Sequence, residues 1–181
     1  MKYEISKYNP CPEAIIFRAK YDSFEEAWNA CERGDWMLWL AQQIKVDLRV
    51  LTLAKARCAE LVMELMKGER SRKAVLVAIA FGQGKATRKE LDAAATDAAF
   101  AAYAANANAA FVYRIHAANA DAANAAYAAA YAAVAAAAAA DANADAANAA
   151  AILKKSAQIC REVFGDKVIK LLLTEKDVCL N

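Results

Sequence analysis

A chain of 181 residues with a net charge of +2 has the size of one domain and offers no bulk electrostatic case for nucleic acid. Its 60% hydrophobic content is inflated by 50 alanines, 37 of them within Ala93–Ala151, and polar residues interrupt every stretch of about 18 residues, the length a membrane span needs. Five Gly and two Pro argue against a turn-rich all-β fold, so a helical protein is expected. The first residues, up to Asn9 and Pro10, lack the apolar core of a secretory signal, and a cytoplasmic location is the expectation.

Residues 1–22 read as irregular, with Cys11-Pro12-Glu13 leading into a short apolar run, Ala14 to Phe17. Ser23-Phe24-Glu25-Glu26 has the spacing of a capping box, in which hydroxyl and carboxylate satisfy the first free N–H groups of a helix. That helix is expected to reach Arg33 and stop at Gly34. Asp35 then caps a second helix, Trp36 to about Ile44, and Trp28, Trp36 and Trp39 are expected inside.

Asp47 to Met66 reads as a longer amphipathic helix, with Leu51, Leu53, Ala54, Cys58, Leu61, Val62 and Leu65 at helical spacing, closed by Gly68. Ser71 opens another, Lys73 to Phe81, and Gly82-Gln83-Gly84 breaks it. Gly84-Lys85 is not a phosphate-binding loop, because Ile79 and Ala86 stand where that motif needs Gly and Ser or Thr. Thr87-Arg88-Lys89-Glu90 is a second capping box.

From Lys85 to Phe164 there is neither Gly nor Pro; as one helix the run would be about 120 Å long, so it is expected to fold back on itself. The breaks are placed at Asn106-Ala107-Asn108, Asn119-Ala120-Asp121 and Asp141 to Asp145, where closely spaced Asn and Asp favour caps and turns. Asn119–Ala126 and Asn143–Ala150 both read NADAANAA, an internal repeat that suggests two similar helix starts. Helices are expected near 88–116, 122–139 and 145–164, followed by Asp166–Glu175 as helix or strand. The whole is one all-α domain, residues 1–181, of about seven to nine stacked antiparallel helices. It has a Trp- and Leu-rich half, 1–84, and an Ala-rich C-terminal half, 85–181.

Few residues offer chemistry. The five cysteines, at 11, 31, 58, 160 and 179, form no CxxC-type pair and read as scattered buried thiols. His116 is the single histidine and supports no triad, and no ExxH accompanies the acids. No catalytic residue, metal site or cofactor is expected. Lys67, Arg70, Arg72, Lys73, Lys85, Arg88 and Lys89 are either a phosphate-binding cluster or, more simply, solvated helix ends. The 93–151 segment holds Asp97, Asp121, Asp141 and Asp145 against Arg114 alone, so it is net negative while the remainder is positive. Asp141, Asp145 and Asn148 fall on one helix face, and Asp121 with Asn124 repeats that pattern. A partner-binding surface is expected from Arg114, Asp121, Asn124, Tyr127, Tyr131, Asp141 and Asp145, with the acids steering a basic partner and the tyrosines or Arg114 anchoring it.

Cys11-Pro12-Glu13-Ala14, Glu26-Ala27-Trp28 and above all Cys31-Glu32-Arg33-Gly34-Asp35-Trp36-Met37-Leu38-Trp39-Leu40, with Arg88-Lys89-Glu90-Leu91 and the Ala/Tyr repeats, carry a family likeness. Over about residues 10–165 the chain resembles the Imm-5-like immunity proteins of bacterial polymorphic toxin systems, which also occur in phages. The resemblance implies an all-α, non-enzymatic protein that binds and neutralises a toxin or effector protein, or a phage-encoded inhibitor of a bacterial defence system. It supplies no catalytic residues. A different class, a structural or ice-binding helical protein, is suggested by Ala-rich helices bearing Asn and Asp; against it, Thr96 is the single threonine of that segment. A protein partner, no membrane and no nucleic acid are the expected associations, and the oligomeric state stays open.

Overall fold

The computed structural model describes residues 5–66, 68–105 and 144–178, and among them every regular element is helical. Eight α-helices follow in order: α1 Pro12–Ala19, α2 Phe24–Ala30, α3 Gly34–Gln43, α4 Leu48–Glu60, α5 Glu69–Gly82, α6 Arg88–Ala105, α7 Ala144–Phe164 and α8 Lys167–Val178. Short 3-10 turns stand at Ser6–Tyr8 and Met63–Leu65. None of the described helices is long and apolar enough to cross a membrane. The expected helices at 122–139 and over 106–116 lie outside the described residues.

The helix starts follow local chemistry. Both capping boxes form: the Glu26 N–H donates to Ser23 Oγ at 3.0 Å while Glu26 Oε2 accepts from the Ser23 N–H at 3.2 Å. At α6 the Thr87 N–H donates to Glu90 Oε2 at 2.7 Å and the Glu90 N–H to Thr87 Oγ1 at 3.3 Å. The backbone bond from Thr87, first of all, holds the Glu90 carboxyl below its ordinary value of 4.5. Because the folded value is depressed, its contribution is complete above 4.5 and is lost as the pH falls through the folded value. Glu90→Gln, which cannot titrate, is therefore expected to melt below the wild type at neutral pH. The gap should close in melting curves taken at progressively lower pH; a gap independent of pH would show that the Glu90 charge plays no part.

Several boundaries differ from the sequence reading. Residues 12–19 are helical rather than irregular, with Pro12 at the first position, where its missing N–H costs nothing. Gly34 does not stop α2, which ends at Ala30; it begins α3, and Arg33, not Asp35, holds the cap position, with no side-chain cap bond. Asp35 sits in the first turn because its carboxylate is taken by Arg33. α4 ends at Glu60 instead of Met66: the 3-10 turn swings Val62 and Met66 into a cluster with Ala59 and Val75 and leaves Leu61 and Leu65 exposed. Gly68 caps α5, and Ser71 lies inside that helix. α5 runs through Gly82 and ends where Gly84, at φ 77°, lets the Lys85 N–H reach back to the Ala80 carbonyl. Of Asp166–Glu175, the residues from Lys167 on are helix, not strand.

The chain divides into two compact units, Leu48–Ile152 and a unit made of Met1–Asp47 with Leu153–Asn181, so the division does not follow residue 84. In the first, α4, α5 and α6 pack antiparallel in sequence order. Arg49 at the start of α4 meets the end of α5, while Ala59 near the end of α4 meets Val75 in the middle of α5; Arg70 of α5 reaches Asp97 of α6 at 3.7 Å. Phe81 sits among Ala56, Ala78, Leu91 and Ala95. In the second unit α3 buries Met37, Leu38, Leu40, Ala41 and Ile44, and Phe164, Val168 and Leu172 are buried on the C-terminal helices.

Candidate functional site

The Cys31–Leu40 stretch, the most distinctive run of the sequence, divides into a packed part and a displayed part. Gly34 is the packed part. A Cβ there would lie 2.4 Å from Ser156 Cβ and 2.7 Å from the Ala157 nitrogen, so α3 and α7 meet at a distance only glycine permits. The Gly34 carbonyl accepts from the buried Cys160 thiol at 3.8 Å, and Arg161 Nη1 donates to the Cys31 carbonyl at 2.8 Å. Lys154 pairs with Glu32 at 2.6 Å across the same seam. Burial pushes the Cys31 thiol above its ordinary value, so it stays protonated and unreactive, donating to the Arg33 carbonyl at 3.6 Å.

Arg33, Asp35 and Trp36 form the displayed part. Arg33 Nε and Nη2 donate to the two Asp35 carboxylate oxygens at 2.8 and 2.6 Å, the bidentate arrangement. The guanidinium carbon lies 4.4 Å from the centre of the Trp36 ring, a cation–π stack. The bond to Asp35 raises Arg33 further above its ordinary value, so its charge is permanent. Phe17 of α1 meets the Trp36 ring edge at 5.9 Å, and next to it in sequence Ile16 is 63% exposed.

Of the three tryptophans expected inside, only Trp28 is fully buried, at 4% exposure, against Phe164 at 6.2 Å. Trp36 and Trp39 are half-buried, because α3 turns its Met37–Leu38–Ala41 side to the core. Trp28→Ala is expected to cost about 3–5 kcal/mol and Trp36→Ala about 1–3 kcal/mol, read by chemical denaturation; equal losses would contradict this division.

All three tryptophans line one partly open pocket, together with Phe17 and Phe24. Its one charged wall residue is Arg18, at 7% exposure. Arg18 Nη1 donates to the Tyr21 carbonyl at 2.7 Å, while its Nε and Nη2 are buried without a hydrogen-bond partner. Sequence reading passed over Arg18, which stood in a segment taken as irregular; the signal available was the Pro12-Glu13 helix start six and five residues earlier.

Of the residues expected to bind a partner, Arg114, Asp121, Asn124, Tyr127, Tyr131 and Asp141 lie outside the described residues, as does His116. Asp145 falls in the first turn of α7, and Asn148 on that helix is exposed. Three of the seven residues of the basic cluster pair with acids or carbonyls: Arg70 with Asp97, Arg72 with Glu69 and the Met66 carbonyl, Arg88 with Asp92; Lys67 lies outside the described residues. Cys31, Cys58 and Cys160 are buried as expected, whereas Cys11 is exposed at the cap of α1, outside the packed seam; Cys179 lies outside the described residues.

Comparison with family models, with curated proteins and with solved structures finds no match to this chain.

Proposed function

We propose that this chain is a non-enzymatic binding protein of the immunity type, which neutralises a toxin or effector protein by occupying it. The observation that carries the reading is the Arg33–Asp35–Trp36 array. Arg and Trp are the residues most enriched among those that dominate binding energy. Here they are stacked and braced before any partner arrives, which reduces the ordering cost of association. Ile16, exposed on α1, and Phe17 against Trp36 add apolar area of the kind an interface core uses. The resemblance of the Cys31–Leu40 stretch to immunity proteins points the same way. A phage-encoded inhibitor of a defence protein would work by the same contacts, differing in target.

The test starts with capture of a protein from the native host lysate, followed by reconstitution with that protein purified. The expected result is stoichiometric suppression of the captured protein's toxicity or activity. Arg33→Ala with Trp36→Ala should weaken the complex tenfold or more, about 1.4 kcal/mol or above, while the helical circular-dichroism signal persists. Asp121→Asn, Asp141→Asn and Asp145→Asn combined test the acidic Ala-rich surface in parallel: reduced affinity with a weaker salt dependence would add it to the interface. A captured protein whose activity is untouched, or a complex indifferent to the Arg33 and Trp36 changes, would overturn the reading.

A further inference from the structure

The strongest unexplained feature of the molecule is a buried cation with half its hydrogen-bonding capacity unused. Arg18 is more than nine-tenths buried, and among the described residues Nε and Nη2 have no acceptor. Leaving buried charged donors unpaired costs far more than leaving a neutral group unpaired, so the arrangement calls for an anion. Which anion follows from which nitrogens are free. Nε and Nη2 are the two parallel donors of one guanidinium edge, and Arg33, fifteen residues on, uses that same edge to hold both oxygens of the Asp35 carboxylate. The third nitrogen, Nη1, is fixed on the Tyr21 carbonyl, which pins the guanidinium in place. The surroundings then specify the rest of the ligand. Arg18 lines a partly open, apolar pocket whose other walls include Phe17, Phe24, Trp28, Trp36 and Trp39.

We infer that this pocket binds a small monocarboxylate with an apolar body: the carboxylate pairs with Arg18 Nε and Nη2, and the body lies against the aromatic rings of the wall. The inference does not depend on the protein partner proposed above. It does connect with it, because Trp36 belongs both to the pocket wall and to the displayed array.

Phenylacetate is the probe, titrated into the full chain and followed by tryptophan fluorescence and melting temperature. All three tryptophans line the pocket, so saturable fluorescence change is expected together with a rise in melting temperature. 2-Phenylethanol, which keeps the body and lacks the carboxylate, should bind about tenfold or more weakly, as should inorganic phosphate, which lacks the body. Arg18→Met should abolish the phenylacetate response yet melt at or above the wild type without ligand, since it replaces an unpaired buried charge by an apolar chain of similar length. Arg18→Lys keeps the charge and loses the two-pronged edge, and it too should lose about tenfold or more in affinity, which guards against a Met variant that fails to fold. The inference is overturned by absence of a saturable response at about 10 mM phenylacetate, an affinity of about −2.7 kcal/mol or weaker. It is equally overturned by an unchanged response in both Arg18 variants, or by phosphate matching phenylacetate.

Discussion

Gly34→Ala is expected to be among the most damaging single methyl groups that can be added to this protein. Two effects oppose each other. Alanine in place of glycine favours a helix by about 1 kcal/mol, and Gly34 is the first residue of α3. The added Cβ, however, meets Ser156 Cβ at 2.4 Å and backbone atoms of Ser156 and Ala157 at 2.7 Å. Backbone atoms cannot rotate away, so α3 and α7 must separate, and the bonds along the seam, from Cys160 to Gly34 and from Arg161 to Cys31, lengthen with them. Overpacking of this kind costs about 3 kcal/mol or more, which outweighs the propensity gain. For a chain of this size that corresponds to a melting temperature lower by about 6–12 °C. Ser156→Gly in the Gly34→Ala background removes the nearest clash but not those with backbone, so it should restore only part of the loss. Wild-type melting of Gly34→Ala would show that the helices do not cross this closely.

The second large effect is expected at Phe81. The ring is 3% exposed, and its buried neighbours Ala56, Ala78 and Ala95 are too short to fill the space it would leave. Phe81→Ala should therefore create a cavity that does not collapse, costing about 3–5 kcal/mol. Arg49 adds to the loss, since its guanidinium lies 4.3 Å from the ring centre. Its bonds to the Phe81 and Ala86 carbonyls go to backbone and should survive. Hydrogen exchange checks this: amides of α5 and α6 should lose protection by about two to four powers of ten, the same energy expressed as an opening equilibrium. Near-wild-type protection would mean that the Leu91 side of the cluster, not Phe81, holds these helices together.

What could be read in advance was what is local in the chain. Ser23 with Glu26 and Thr87 with Glu90 sit three residues apart, and their bonds depend on nothing else, so α2 and α6 start where the spacing puts them. Gly34 shows the opposite case. As sequence it reads as a stop signal; in the fold it is a contact glycine, and its reason is Ser156, more than a hundred residues away. Leu61 and Leu65 kept helical spacing, yet the turn after Glu60 was decided by where Val62 and Met66 bury, a tertiary matter. Trp36 and Trp39 were placed inside by size, but which side of α3 faces the core was set by Met37, Leu38 and Ala41 together. The Arg18 pocket was illegible because an unpartnered guanidinium edge is a property of its surroundings, and no residue pattern along the chain announces it.

The bonds from Cys160 to Gly34 and from Arg161 to Cys31 span 126 and 130 positions. Helices α4 to α6 close against neighbours in sequence order and can fold as they emerge during synthesis, whereas Trp28 and Gly34 have no α7 to meet until residues 156–164 have been made. At about 5–20 residues per second, 126 residues take roughly 6–25 s. For that time the Trp28 ring has no Phe164 to cover it. The contact that makes Gly34 intolerant of a methyl group is thus also one of the last to form, and its high sequence separation makes its closure a slow step of folding.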